Sequence, residues 1–172
     1  MAIGKFESMH LGHQALIHKA REEAKMLNLP TVVMSFCPHP FTVLGNREYR
    51  PLFTTLQILR VIEEKCPVDY FLRFPFTEQL AKTPPEEFCR ILFGELSAKA
   101  LFVGRGYRFG ANRAGTADTL KSEAARYGAK VTVVEVEKLG QAQISTSIIR
   151  RLISEGSFAE ASRLLGFGYP LD

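Results

Sequence analysis

An α/β fold, a mostly parallel sheet with helices on both faces, is what the sequence predicts, on three observations. Short apolar, β-branched runs alternate with helical-period stretches of about ten to fifteen residues, the pattern that crossovers between parallel strands impose. The second such run, residues 31–36 (T-V-V-M-S-F), is largely apolar rather than alternating, as suits a strand covered on both faces. Finally, 172 residues with 46% hydrophobic content fit a single domain over residues 1–172, with no internal repeat and no linker long enough to divide it.

Residues 2–6 are a short apolar run and predict the first strand. From His13, the residues Leu16, Ile17, Ala20, Ala24 and Leu27 recur at helical spacing until Asn28 and Pro30 stop the helix. Residues 31–36 form the second strand, and Pro38-His39-Pro40 ends it. Thr54 caps a helix carrying Leu56, Leu59, Val61 and Ile62, and residues 69–74 read as a third strand. Thr83-Pro84-Pro85-Glu86 combines an N-cap threonine, a proline at the first helical position and a glutamate at the third, ahead of Phe88, Ile91, Leu92 and Leu96. Residues 100–103 are strand-like, 104–115 a glycine-rich loop, 119–127 helical and 130–136 strand-like. Residues 147–155 and 158–165 close the chain as two helices, the second opened by a capping box, Ser157-Phe158-Ala159-Glu160. In such a fold a ligand site belongs at the carboxyl ends of the strands.

No apolar run approaches the roughly 20 residues of a membrane-spanning helix, and Met1 leads directly into strand-like residues without a basic segment and cleavage site. A cytoplasmic protein with no membrane association is expected. Cys37, Cys66 and Cys89 form neither an even framework nor a C-x-x-C pair, so reduced thiols are the expectation. The net charge of +4 suits phosphate-bearing ligands. Basic residues are dispersed except at Arg150-Arg151, with no aromatic-interleaved stripe, and no nucleic-acid partner is expected.

The chemistry concentrates where the first strand meets the first helix. There His10 and His13 flank Gly12. A helix N-terminus offers unpaired N–H groups and partial positive charge, imidazole N–H groups add directional donors for phosphate oxygens, and Gly12 lets the backbone come close to a nucleotide. Either histidine alone reads more readily as a core residue than as a ligand; the pair around a glycine reverses that and points to a ligand. Neither a clear carboxylate nor a third histidine stands at zinc spacing, so zinc is disfavoured and metal ligands stay unassigned. Ser145 and Thr146, with Arg150 about one turn along, can present hydroxyls, backbone donors and a guanidinium to one phosphate, or form an ordinary capped helix. Tyr107 and Phe109, amid glycines and arginines, suit stacking on a planar ring, or a mobile surface loop. Pro38-His39-Pro40 reads equally as a rigid turn.

His10-Leu11-Gly12-His13 resembles the H-x-G-H signature of the nucleotidyltransferase superfamily. Its surroundings are similar to G-N-F-D-G-V-H-L-G-H-Q of the FMN adenylyltransferase (FAD synthetase) domain of bacterial bifunctional riboflavin kinase/FAD synthetases. Four further matches follow in that family's order: Phe36-Cys37-Pro38-His39-Pro40, Pro75-Phe76-Thr77, residues 104–115 (G-R-G-Y-R-F-G-A-N-R-A-G), and Ile144-Ser145-Thr146-Ser147-Ile148-Ile149-Arg150. Leu164-Leu165-Gly166 and Tyr169-Pro170 resemble the domain's end. The resemblance implies a Rossmann-like nucleotidyltransferase fold, ATP and FMN as substrates, Mg²⁺ as cofactor, and transfer of AMP to FMN to give FAD and pyrophosphate. It also implies a riboflavin kinase domain elsewhere. His10 and His13 would hold ATP phosphates, and Ser145, Thr146 and Arg150 would close over the nucleotide. Pro38, His39, Pro40, Phe109 and Arg113 would line the flavin side, with Gly4, Phe6, Glu7, Gly12, Gly104, Tyr107, Gly110 and Ser147 as further binding positions.

Four positions depart from the family pattern: Lys5 stands where asparagine is usual, Glu7 where aspartate is, Ser8 where glycine is, and Gly106 where asparagine or aspartate is. The expectation is weakened or selective turnover. Two alternatives accompany it: an adenylyltransferase for another phosphorylated acceptor, and a non-catalytic flavin or adenine-nucleotide binding module.

Overall fold

The computed structural model describes residues 1–45, 49–135 and 142–169, together with Lys138–Leu139; of residues 138–139 and 142–143 only the backbone is described. Ala2–Ile3 (β1), Val32–Cys37 (β2), Tyr70–Pro75 (β3), Ala100–Gly104 (β4) and Lys130–Val134 (β5) form one sheet in the order β3-β2-β1-β4-β5, every neighbouring pair parallel. β1 is central, with Ala2 opposite both Val33 and Phe102. The α/β class and the doubly covered parallel sheet are as the sequence predicts.

Alternation along the strands divides the core into two layers. Ala2, Val33, Ala100 and Phe102 face Leu16, Ile17 and Ala20 of Leu11–Leu27 (α1) and Val61 and Ile62 of Thr55–Lys65 (α3). Ile3, Met34, Leu101 and Val103 face the other way, onto Phe88 and Cys89 of Pro85–Cys89 (α5) and Leu120 and Ala124 of Ala117–Arg126 (α6). Each of the Val, Leu, Ile, Met and Phe side chains among them, taken fully out of water, contributes about 1.5–3 kcal/mol before entropy is counted. A third cluster, outside the sheet, joins Phe53 and Ile144 to Ile149 and Leu152 of Thr146–Ser154 (α7) and Ala161, Leu164 and Leu165 of Phe158–Leu165 (α8).

Local departures from the sequence reading have local causes. β1 ends at Ile3, short of the expected residue 6, and beyond it Phe6 and Met9 take left-handed conformations, φ 49° and 45°. α1 begins at Leu11, with His10 as its N-cap. Pro38-His39-Pro40 ends β2 and also starts the short helix Pro40–Leu44 (α2), with His39 as cap; the Cys37–Pro38 peptide is cis. Pro75 is tolerated because β3 is an edge strand. Thr77 caps another short helix, Glu78–Ala81 (α4). Thr83 does not cap α5: Pro84 holds that position with Pro85 first in the helix, while the Thr83 hydroxyl donates back to the Gln79 carbonyl. A π-helical turn, Arg90–Glu95, continues α5. Ser157 likewise makes no side-chain capping bond, so the box expected before α8 is not formed. Lys138–Leu139 (β6) and Ala142–Gln143 (β7) pair antiparallel, an unanticipated hairpin. Val136, expected to end the fifth strand, and Pro170 lie outside the described residues. The three cysteines are free.

Candidate functional site

The strand order reverses between β1 and β4, which opens a crevice at their carboxyl ends. A cleft of about 1060 Å³ lies there. Of the residues singled out from sequence, Gly4, His10, Gly12, His13, Pro40, Gly104, Tyr107, Phe109, Gly110, Arg113 and Ser145 line it. Four distant stretches of chain therefore meet on one cavity: the turn after β1, the start of α2, the loop after β4, and the start of α7.

His10 and His13 stack, ring centres 3.7 Å apart and planes nearly parallel at 9°. The His10 Nδ1 accepts a hydrogen bond from the His13 backbone N–H at 3.1 Å, so the neutral His10 ring carries its proton on Nε2. Burial lowers His10 to about 4, against a weaker upward pull from a backbone bond and Glu7. Burial also holds His13 well below the usual histidine value, helped by His10 and Lys5. Both rings are neutral at pH 7 and act as donors, not as cations. His13 Nδ1 is buried without a hydrogen-bond partner among the described residues, and an unpaired buried polar atom of this kind costs about 1–3 kcal/mol. Ser145 caps α7 by accepting from the Ile148 N–H at 3.3 Å. Thr146 Oγ1 lies 2.9 Å from Ser8 Oγ, tying α7 to the turn after β1. Ser147 is exposed on the first turn of α7.

Glu7, Phe6, Pro38, His39, Thr146, Ser147 and Arg150 do not line the cleft. Phe6 is fully buried, its ring packed against His13 at 5.2 Å and beside Gly4, so it supports the site from the core and presents no face to a ligand. Glu7 is the hub of a polar cluster. Arg150 donates to Glu7 Oε1 from Nη2 at 2.7 Å and from Nε at 3.2 Å, and Nη2 also donates to the Arg50 carbonyl at 2.6 Å. Tyr49 donates its hydroxyl to Glu7 Oε2. His39 Nε2 lies 3.2 Å from the same oxygen, while its Nδ1 accepts from the Phe41 N–H. Burial raises the Glu7 pKa, but His39, Tyr49 and Arg150 overcome that and hold it at about 2. Burial and Glu7 push the Tyr49 phenol upward, so it serves as a donor. Arg150 is thus set on Glu7 in this structure, not on the cleft.

Sequence reasoning missed Tyr49 and the aromatic wall of Phe36, Phe41, Phe76 and Phe88. Phe36 and Phe76 belong to segments already singled out, which was a signal; nothing in the spacing of Tyr49 connects it with Glu7. Cys37, unremarkable among its sequence neighbours, accepts a hydrogen bond from Arg73 of β3.

A cleft with neutral imidazole donors and a helix N-terminus at one part, and aromatic rings at another, can seat a phosphate-bearing molecule with a planar group. Comparisons agree. A family profile described as FAD synthetase matches residues 1–148. A bifunctional riboflavin kinase/FMN adenylyltransferase of Listeria monocytogenes is 34% identical over 171 residues, 98% of this chain and 54% of its own. One from Escherichia coli K12 is 32% identical over 173 residues, 99% of this chain and 55% of its own. A FAD synthetase of L. monocytogenes is 34% identical over 171 residues, 96% of this chain and 68% of its own. The chain therefore spans about half the length of the bifunctional relatives. A crystal structure described as a macrolide-efflux protein from Streptococcus pneumoniae superposes with a TM-score of 0.86 at 27% identity, over 97% of this chain and 56% of that one. No helix among the described residues is long and apolar enough to cross a membrane. The profile, the full-chain likeness to these relatives and the shared fold establish that the chain belongs to the FAD synthetase family.

Proposed function

We propose that this chain transfers AMP from ATP to FMN, giving FAD and pyrophosphate. The observation that carries the reading is the single cleft on which His10, His13, Ser145 and the α1 N-terminus face the same space as Phe36, Phe76 and Phe109. The FMN phosphate is ionised at neutral pH, so its oxygen attacks the α-phosphorus of ATP without a general base, and catalysis consists of positioning and charge stabilisation. His10 Nε2–H and the first N–H groups of α1 donate to phosphate oxygens as charge moves onto the leaving pyrophosphate. His13, stacked beneath His10, fixes its plane and offers a second imidazole. Thr146, held by Ser8, sets the start of α7 over the nucleotide. Arg150 joins the phosphates only by trading Glu7 for them.

The donor set does not suit a resident Mg²⁺. Glu7 Oε1 is taken by Arg150 and Oε2 by Tyr49 and His39, and no group of three His, Cys, Asp or Glu among the described residues could hold a metal ion. Magnesium belongs with the substrate's phosphate oxygens.

The test is incubation with FMN, ATP and Mg²⁺ followed by chromatographic separation of flavins. FAD is expected with the unaltered protein and about a hundredfold less with His10→Ala. Tight binding of FMN or ATP with no FAD would mark a binding module instead, and FAD formation unaffected by His10→Ala would remove the imidazole from the reaction.

A further inference from the structure

Lys5 lines the cleft and has no part in the transfer described above. Its carbonyl accepts a hydrogen bond from Ser35 Oγ at 2.8 Å, which fixes the backbone just beyond β1 against β2. Its Nζ lies 4.3 Å from the centre of the Phe41 ring, on the aromatic wall. Arg113, held at φ 57° in the loop after β4, lines the same cleft. No carboxylate among the described residues lies within ion-pair distance of either cation: Glu7, two residues from Lys5, is engaged by Arg150, Tyr49 and His39. An aromatic face attracts an ammonium but accepts none of its hydrogen bonds in the way an oxyanion does. Among the described residues, the cavity is lined by Lys5, Lys82, Arg105, Arg108 and Arg113 against one carboxylate, Glu78, which pairs with neither Lys5 nor Arg113.

We infer that Lys5, with Arg113, forms an anion subsite for the phosphate monoester of the acceptor, which makes Lys5 a specificity-determining residue for phosphorylated over unphosphorylated flavin. The inference rests on the flavin reading above. The acceptor is favoured over ATP because Lys5 is anchored on the ring-lined wall where a planar acceptor would stack, whereas ATP phosphates have the imidazoles and the α1 N-terminus. Burial holds Lys5 below its ordinary value, Glu7 opposes this and Arg113 adds to it; a dianion between the two cations relieves both penalties.

The experiment compares equilibrium binding of FMN and riboflavin, followed by flavin fluorescence, in the unaltered protein, Lys5→Met and Lys5→Arg. Lys5→Met is expected to lower the FMN-to-riboflavin affinity ratio about tenfold or more, the range for a hydrogen bond to a charged group. Riboflavin affinity should stay unchanged, and Lys5→Arg should keep most of the ratio. An unchanged ratio in Lys5→Met, with FMN bound normally by the unaltered protein, overturns the role of Lys5 and leaves the flavin reading intact. Weakened ATP binding at an unchanged ratio also overturns it and assigns the cation to the nucleotide. Failure of the unaltered protein to bind either flavin removes the flavin reading itself.

Discussion

At the scale of single residues, the site is organised around groups whose protonation the fold has fixed. Glu7 draws Arg150, Tyr49 and His39, from three separate segments, onto one carboxylate. Glu7→Gln keeps the shape but removes the charge, and its expected cost is about 1–3 kcal/mol, read as a lowered urea midpoint. The pH dependence has two parts. A carboxyl at about 2 in place of 4.5 contributes stability that is complete above pH 4.5 and lost as pH falls through about 2. His10, at about 4 in place of 6.5, and His13, also lowered, act earlier: the unfolded chain takes up their protons first, so stability falls as pH drops from 6.5 toward 4. The expected result is a Tm that declines across that interval, and a shallower decline in His13→Asn. A flat profile in the unaltered protein would contradict the burial of a neutral imidazole pair.

Among the elements, the loop after β4 shows how backbone conformation places site residues. Gly110 has φ 70°, and a Cβ there would sit 2.9 Å from Pro85 at the start of α5. The next residue, Ala111, donates its N–H to the Thr83 carbonyl at 2.8 Å. These contacts pin the loop against α5 and aim Phe109 and Arg113 at the cleft. Gly106 has a similar φ of 71° but open space around it. Gly110→Ala is therefore expected to cost about 2–4 kcal/mol by combining left-handed strain with a clash, and Gly106→Ala only about 1 kcal/mol; denaturant melts of the two variants would separate the effects. The same contrast explains what was legible in the sequence. Long elements with apolar periodicity were readable, as α1 and α3 show, because their burial pattern is written in consecutive turns. Signals of two to five residues were not: α2 and α4 are too short for a period, and Thr83 carries the letters of a cap while its hydroxyl bonds backward. Cleft-lining residues inside one compact string, such as His10 and His13, were likewise visible. Tyr49 and the Lys5–Phe41 contact were not, because they exist only once the turn after β1 and the α2 region have docked.

Taken as a whole molecule, the protein has two cores on the sheet and a third beneath α7 and α8, and the join between them crosses the site. The third cluster reaches α1 through Leu11 and Phe167, and through one buried polar side chain. The Gln14 amide donates both of its hydrogens, to the Met9 carbonyl and to the Leu165 carbonyl, each at 2.7 Å. Gln14 is thus a bridge between the turn that carries His10 and the end of α8. The β1, β2 and β4 backbones are buried between two layers, whereas α7 and α8 rest on one side only, so local opening should release the helical pair at lower free energy than the sheet. Hydrogen exchange is expected to show α7 and α8 amides exchanging faster than those of β2 and β4. Gln14→Leu strands two buried carbonyls, and should accelerate α7 and α8 by a further factor of about thirty or more, corresponding to about 2 kcal/mol, while leaving β2 nearly unchanged. ATP, if it lies between His10 and Ser145, binds only when the third core is docked, and its protection should therefore fall on α7 and α8 ahead of the sheet. Uniform exchange across all three clusters, or ATP protection confined to β2 and β4, would mean that the molecule opens as one unit and that nucleotide binding does not depend on the docking of α7.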